Sequence, residues 1–261
     1  MKFDSIMEAA GQAEMNVPEG WGQGRATFGG LVAAILIRHM QVKLGEDMAP
    51  LRSFSLSFVG PMAPGPLALE ATVLRSGKSV TQVQISGSQD GQVVAVMLAS
   101  LGRGRQSVLK VEAPRAPRWK PAEECFRVPY VEGLSPAFLE HFDLRYHGGN
   151  IPLSGSQHPD FEGYMRFREP VLTQDCATLA CLVDTWPPSV IPMLSKPAPM
   201  SSLTWSMDFL VDPAQLPRVD FWQYDVVTEA FADGYGQNRS LIWDDSGRPV
   251  AVSRQTIVVF A

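Results

Sequence analysis

The hydrophobic pattern of this chain presents the same order of elements twice. An apolar run at helical spacing follows Gly29-Gly30, and four strand-like segments come after it, at residues 51–59, 67–74, 79–86 and 93–101. In the second half a short helix-like run over 175–183 precedes strand-like segments at 202–210, 221–231, 237–243 and 250–260. A set of elements that recurs after about 150 residues indicates a duplicated domain.

The first helix is apolar on almost every side, which indicates burial on most of its faces. Leu31, Ile35 and Met40 recur at helical spacing, while Ala33 and Ile37 occupy the other faces. Asp90-Gly91, between two apolar segments, is typical of a β-hairpin turn. Consecutive hairpin-like strands around a buried helix favour an α+β fold, in which a curved antiparallel sheet wraps the helix.

The predicted organisation is an N-terminal half over residues 1–110, a linker over 111–160 and a C-terminal half over 161–261. The linker is predicted because that stretch is rich in Pro and Gly. Within it, residues 135–140 form one predicted helical turn, with Ser135 as N-cap and Pro136 at the first helical position. The C-terminal half begins with an alternating strand at 162–168.

Composition excludes several classes of protein. A hydrophobic fraction of 45% with 19% charged residues supports a sizeable core, and a formal net charge of −5 argues against a nucleic-acid partner. The three cysteines show no C-x-x-C spacing, and the four histidines show no metal-ligand spacing. The acidic N-terminus does not suit a signal peptide, and no apolar run approaches the roughly 20 residues of a membrane span. We therefore expect a cytoplasmic protein without a metal or a membrane partner.

Three short patches of the sequence stand out: Gly29-Gly30, Leu203-Thr204-Trp205-Ser206-Met207, and the tail Gly247-x-x-Val250-Ala251-Val252-Ser253-Arg254-Gln255. Together they resemble bacterial acyl-CoA thioesterase II. The resemblance implies a double hot-dog fold, in which two helices are each wrapped by a curved antiparallel sheet and the two sheets join. It also implies hydrolysis of an acyl-CoA thioester to a free acid and coenzyme A, in lipid metabolism, without a further cofactor. Since hot-dog units often pair through their sheets, a homo-oligomer is also an open expectation.

In that family an Asp, a Thr and a Gln hold the water that attacks the thioester. The Gln position matches Gln255 and the Thr position matches Thr228, but the Asp position falls on Thr204. A hydroxyl cannot accept the proton of a water at neutral pH, so the general base would be missing, and Thr204→Asp is expected to raise turnover. Asp184, at the end of the second helix, is another candidate base, because single hot-dog thioesterases often carry an acid near that helix. The alternative for Asp184 is an exposed residue at a helix end.

Structural alternatives remain open for the other candidates. Gly29 and Gly30 suit an oxyanion hole at a helix N-terminus, and they equally suit a tight turn against the sheet. Gln255 is interpreted as a site residue in preference to an edge amide, and Thr228 is compatible with a plain strand former. Because Thr204 replaces the acid, the alternative function is a non-catalytic module that binds an acyl ligand or acyl-CoA. The sequence does not indicate the acyl chain length or type.

Overall fold

The computed structural model describes residues 1–261 and contains three α-helices and fourteen β-strands. The first half contains α1 (Phe3–Ala9), β1 (Glu14–Val17), β2 (Gly22–Gln23), β3 (Ala26–Thr27), α2 (Gly29–Leu44), β4 (Leu51–Phe58), β5 (Gly65–Ser76), β6 (Val80–Gln89) and β7 (Gln92–Gly102). The remainder contains β8 (Phe126–Arg127), β9 (Phe142–Gly149), β10 (Phe161–Phe167), α3 (Cys176–Val183), β11 (Met200–Phe209), β12 (Trp222–Ala232), β13 (Tyr235–Trp243) and β14 (Pro249–Val259).

Twelve of the strands form one antiparallel sheet. Its order is β1-β5-β6-β7-β4-β11-β14-β13-β12-β10-β9-β8, and β2 and β3 form a separate hairpin. The halves join at its centre, where β4 pairs with β11 and Leu56 lies opposite Trp205. The prediction of two sheets joined edge to edge, each with its own helix, is confirmed.

Both predicted helices lie in the core and pack against each other. Each residue of α2 from Gly30 to Ile37 is buried, and so is the whole of α3. The Asp175 side chain caps α3 and accepts hydrogen bonds from the N–H groups of Ala177 and Thr178. A single cluster of 51 buried residues draws on both halves, so the halves do not fold as separate units on a tether.

Two segments of the sheet were not predicted. Residues 1–17 supply α1 and β1, and β1 pairs with the edge of β5. The predicted linker supplies β8 and β9, and β9 pairs with β10 along its length. The sequence of strand β9 does not show a clear alternation of apolar and polar residues, because Asp143 is buried within it. The Asp143 carboxylate forms ion pairs with Arg127, Arg145 and Arg166.

The predicted turn at 135–140 forms with a different cap. A short 3-10 helix spans Ala137–His141 and has Pro136 at its N-cap. The Ser135 hydroxyl does not cap it, because it accepts a hydrogen bond from the Val131 N–H. Elsewhere in the chain, no helix is both long and apolar enough to cross a membrane.

Candidate active site

A cleft of about 340 Å³ lies where the two halves meet. Its wall combines the N-terminus of α2, the end of α3, the start of β11 and the middle of β14. Asp184 and Gln255 line it from the second half, and Gly29, Val32 and Phe58 line it from the first. Neither half alone forms this cleft.

Asp184 is the C-cap residue of α3, and its half-buried side chain reaches the cleft. Gln255 Nε2 donates a hydrogen bond of 2.6 Å to its Oδ1. Removal from water raises the pKa of the Asp184 carboxyl to about 7, although the hydrogen bonds from Gln255 and from the Gly30 N–H act in the opposite direction. This carboxyl group therefore changes protonation near neutral pH, as a general base requires.

The two glycines allow the start of α2 to approach this carboxylate. A Cβ at position 29 would lie 2.7 Å from Asp184 Oδ2, and a Cβ at position 30 would lie 2.6 Å from the Cys181 carbonyl oxygen. The Gly30 N–H, at the positive end of the helix dipole, donates to Asp184. The glycines thus allow α2 to approach α3 closely at Cys181 and Asp184, with Phe58 of β4 also close to Gly29.

Gln255 is held at both ends of its amide group. Its Nε2 donates to Asp184, and its Oε1 accepts a hydrogen bond of 3.0 Å from Ser202 Oγ. Strand β14 lies between β11 and β13, so Gln255 is not an edge amide. It lies opposite Trp205, a buried residue, which places it on the face of the sheet that carries the helices.

Thr204 and Thr228 lie outside this cluster. Thr204 pairs with Thr256 and Ser57, is exposed, and lines a separate polar depression of about 260 Å³. Since its neighbour Trp205 points into the core, the Thr204 side chain lies on the outer face. The Thr228 hydroxyl shares a 2.8 Å hydrogen bond with Ser189, and its N–H donates to Asp160. The structure thus brings Asp184, Gln255 and the two glycines together without either threonine.

An apolar groove of about 780 Å³ adjoins the cleft. The two share the β2–β3 hairpin residues Gln23, Arg25 and Ala26, and they also share Trp186 and Met200. Further along, the wall of the groove is mostly carbon and includes Leu139, Tyr146, Pro187 and Phe260. Apolar lining with few polar groups is typical of a small-molecule site. No group of three or more His, Cys, Asp or Glu side chains is arranged to hold a metal ion.

Two family models together match most of the chain. A model described as the acyl-CoA thioesterase N-terminal domain matches residues 17–102, and one described as the acyl-CoA thioesterase C-terminal domain matches residues 113–259. The chain belongs to the acyl-CoA thioesterase family. A search of curated proteins gives no match.

Solved structures share the fold along the whole chain. A hot-dog protein of unknown function from Alicyclobacillus acidocaldarius has a TM-score of 0.85 at 23% identity and covers 98% of each chain. A protein described as a thioesterase II from Thermobifida fusca YX has a TM-score of 0.83 at 23% identity, covering 100% of this chain and 98% of its own. An acyl-CoA thioesterase II from Mycobacterium marinum has a TM-score of 0.75 at 18% identity, with 97% of each chain covered. At these identities the likeness shows a double hot-dog fold.

Ser202 is the member of this candidate site that sequence reasoning missed. The pairing of β11 with β14 is irregular between Ser202 and Thr204, which is the signature of a β-bulge. A strict two-residue period would place Ser202 and Thr204 on one face, but the bulge separates them. Only the Ser201-Ser202 pair just before the Leu203–Met207 patch signals a nearby hydroxyl.

Proposed function

We propose that the protein hydrolyses an acyl-CoA thioester to a free acid and coenzyme A, with Asp184 as the general base. The observation that carries this proposal is the Asp184–Gln255 hydrogen bond at the N-terminus of α2, in a cleft that opens into an apolar groove. Membership of the acyl-CoA thioesterase family supports the reaction class.

The reaction begins with a water hydrogen-bonded to the Asp184 carboxylate. Asp184 removes a proton from this water while its oxygen attacks the thioester carbon, giving a tetrahedral oxyanion. The bond from carbon to sulfur then breaks, and protonated Asp184 returns the proton to the departing thiolate of coenzyme A. A base with a pKa of about 7 suits both transfers, since it accepts and releases a proton near neutrality.

The oxyanion is stabilised by the start of α2 in this proposal. The first N–H groups of an α-helix have no partner within the helix. Gly30 already donates to Asp184, so the donor proposed for the oxyanion is the N–H of Gly29, which lines the cleft. Gln255 fixes the carboxylate by hydrogen bonding, and no cofactor takes part beyond the coenzyme A of the substrate.

The acyl group is proposed to occupy the apolar groove beside the cleft. Removing an alkyl chain from water contributes about 0.8 kcal/mol per buried CH₂ group. We therefore expect kcat/KM to increase with chain length until the groove of about 780 Å³ is filled. A location in the cytoplasm and assembly into a homo-oligomer remain proposals of the same kind.

The second candidate function is a binding module that retains the groove without catalysis. Its support is Thr204, which stands where the family carries its acid and faces away from the cleft. This candidate requires Asp184 to be a structural cap for the start of α2, with no catalytic role.

A thiol-release assay over acyl-CoAs of increasing chain length separates the two functions. We expect turnover by the wild type and a loss of about 10² to 10⁴-fold in kcat for Asp184→Asn, the usual contribution of a general base. The matched control is Asp208→Asn, because Asp208 is an exposed carboxylate on β11 with no contact to the cleft. Acyl-CoA binding without thiol release, for all chain lengths, would establish the binding module instead.

A further inference from the structure

We propose that a basic pocket at the far end of α2 binds a phosphorylated small molecule of nucleotide size. The pocket has a volume of about 510 Å³ and lies where the α2–β4 loop, the β5–β6 turn and the end of β7 meet. Its cations are Lys78 in the turn, and Arg103 and Arg105 just after β7. The proposal does not depend on the hydrolysis of a thioester.

The basic pocket and the candidate active site lie at opposite ends of α2. Gly29, the first residue of the helix, lines the cleft, whereas Leu44, its last residue, lines the basic pocket. A helix of this length places its ends roughly 22 Å apart, and most of α2 between them is buried. A group bound in the basic pocket is therefore separate from the reacting atoms at Asp184.

The protein does not neutralise the three cations of the basic pocket. None of them forms an ion pair. Asp47 is the single carboxylate in the wall, so three cations and one carboxylate leave a formal charge of +2, in a chain whose formal net charge is −5. Like charges that lie close together repel each other, and a bound anion relieves this repulsion and stabilises the folded state. The arrangement therefore favours an anionic ligand.

The second half of the chain shows that the fold does not require this unpaired charge. The turn that corresponds to β5–β6 is the β12–β13 turn, and it carries Asp233 where the first half carries Lys78. The arginines of the second-half sheet are paired, since Arg239 and Arg254 both lie within ion-pair distance of Glu229. The basic pocket is thus a property of the first half alone.

The donors of the basic pocket suit a phosphate group. Arg103 Nη2 donates to the Asp47 carbonyl oxygen at 2.6 Å, which anchors the guanidinium and leaves its other N–H groups available. A guanidinium binds two phosphate oxygens at once, and the Lys78 ammonium adds a compact positive charge. The Ser79 side chain lines the same wall. A phosphate group, with a charge of about −2 and three acceptor oxygens, matches both the charge and the donors.

Apolar side chains in the wall indicate that the ligand has an organic part. Leu44 of α2, Met48 of the α2–β4 loop and Leu101 of β7 line the basic pocket beside the cations. Its volume lies within the usual range of small-molecule sites, about 300 to 1,000 Å³. A bare phosphate ion would leave this apolar part unfilled, whereas a nucleotide places its sugar and base there. An acid with a single carboxylate would leave most of the positive charge unpaired.

Isothermal titration calorimetry of the full-length protein with ADP, at low salt, tests the proposal. We expect Lys78→Ala and Arg105→Ala each to weaken ADP binding by about tenfold, the effect of one hydrogen bond to a charged group. Asp47→Asn removes the opposing carboxylate and should tighten binding by about threefold. The matched control is Arg118→Ala, because Arg118 is an exposed cation that does not line the basic pocket. Its affinity for ADP should stay within about twofold of the wild type.

Two results would overturn the proposal. One is an absence of ADP binding by the wild type, or equal affinity in all the variants. The other is a wild type that binds octanoate but not ADP, with octanoate binding lost in Lys78→Ala, because the ligand would then be a carboxylic acid. An absence of thiol release by the wild type would overturn the proposed function and leave the ADP titration unaffected.

A free nucleotide and the phosphorylated adenosine of coenzyme A carry the same chemistry, and kinetics distinguish these two sources. An acyl-CoA is compared with the same acyl group on pantetheine, which has no nucleotide. If coenzyme A occupies the basic pocket, Lys78→Ala raises KM by about tenfold for the acyl-CoA alone. If a free nucleotide occupies it, both KM values stay at the wild-type level while the affinity for ADP falls. Either result supports a phosphate site in the basic pocket.

Discussion

The starts of α2 and α3 occupy corresponding places in the two halves, and they are completed in opposite ways. At α2, Gly29 and Gly30 leave the helix end open, and Asp184 from the other helix approaches it. At α3, Asp175 caps the N–H groups of its own helix, and its carboxylate also accepts a hydrogen bond from Gln41 of α2. The start of α3 is thus capped by a side chain of its own segment. The start of α2 instead approaches a carboxylate from the other half, and that carboxylate also lines the cleft.

The sheet shows the same contrast. Gln255 on β14 lies opposite Trp205, and Ala99 on β7 lies opposite Phe54 at the corresponding place in the first half. Trp205 and Phe54 pack edge to face at 5.1 Å across the join of the two halves. Duplication therefore produced two similar junctions, of which only one carries the carboxylate–amide pair.

The contrast between the two helix starts is tested most directly by substituting Asp184 and Asp175 separately. Asp184→Asn should lower kcat by about 10² to 10⁴-fold. Asp175→Ala should leave kcat within about twofold but remove a helix cap, typically worth about 1 kcal/mol of unfolding free energy. Thiol release and thermal unfolding measure the two effects. Equal losses of turnover in both variants would mean that the two junctions do not differ in function.

Whereas Asp175→Ala is expected to destabilise the protein, Asp184→Asn should stabilise it at alkaline pH. The folded state raises the pKa of Asp184 from 3.8 to about 7, so it binds the proton more tightly than the unfolded chain does. The free energy of unfolding therefore decreases as pH rises between these values, and the deficit is complete above about 7. We expect Asp184→Asn to have the higher melting temperature at pH 8 and to lose this advantage near pH 4.

Exchanging the residues on the sheet tests the second contrast. Gln255→Ala should lower kcat/KM by about 10²-fold, the scale of losing one preorganised hydrogen-bond partner, with little change in melting temperature. Ala99→Gln should gain no activity, and it should destabilise the fold because Ala99 is completely buried and an amide there has no partner. A Gln255→Ala variant with full turnover and a lowered melting temperature would assign Gln255 to packing.

The next prediction concerns the junction between Asp184 and the start of α2, where the pH dependence of wild-type turnover should show a smaller effect. Because only ionised Asp184 accepts a proton, kcat/KM should rise with pH through a single limb centred at about 7 and then level off. Below the midpoint of this limb, kcat/KM should fall about tenfold for each pH unit. The limb should be missing in Asp184→Asn, whose residual rate is expected to be flat over the same range.

Thr204→Asp should have the smallest effect. The sequence predicted that an acid at this position would raise turnover, but Thr204 faces the outer depression and has no contact with Asp184 or with the cleft. We now expect kcat within about twofold of the wild type, as for surface changes in general. A large gain in kcat would mean that the bulge at residues 202–204 rearranges and brings position 204 into the cleft.

Local patterns in the sequence predicted most of the fold. The apolar spacing of α2 and the Asp90-Gly91 turn depend on neighbouring residues, and both are confirmed. Strand β9 escaped prediction because a buried Asp143 interrupts its apolar pattern. The burial depends on ion pairs with Arg145 on the same strand and with the more distant Arg127 and Arg166. Strand β1 is short and is defined by its pairing with β5, a contact between distant parts of the chain.

The candidate site was predictable only in part, for a related reason. Gln255 and the glycines stand in recognisable patches, but the approach of Asp184 to Gly30 depends on how α2 packs against α3. Ser202, and not Thr204, lies on the helix-bearing face because β11 has one extra residue in its pairing with β14. A bulge has no clear sequence signal here, so the sequence did not indicate that the Ser202 hydroxyl contacts Gln255.

The half-buried carboxylate of Asp184 also bears on how the products leave. In the proposed reaction, hydrolysis would place the carboxylate of the product acid beside Asp184, and above pH 7 both groups are anionic and repel each other. Below that pH a protonated Asp184 instead donates a hydrogen bond to the acid and retains it. The group proposed as the general base would thus also expel the product in neutral to alkaline solution, and inhibition by free acid should grow as the solution is acidified.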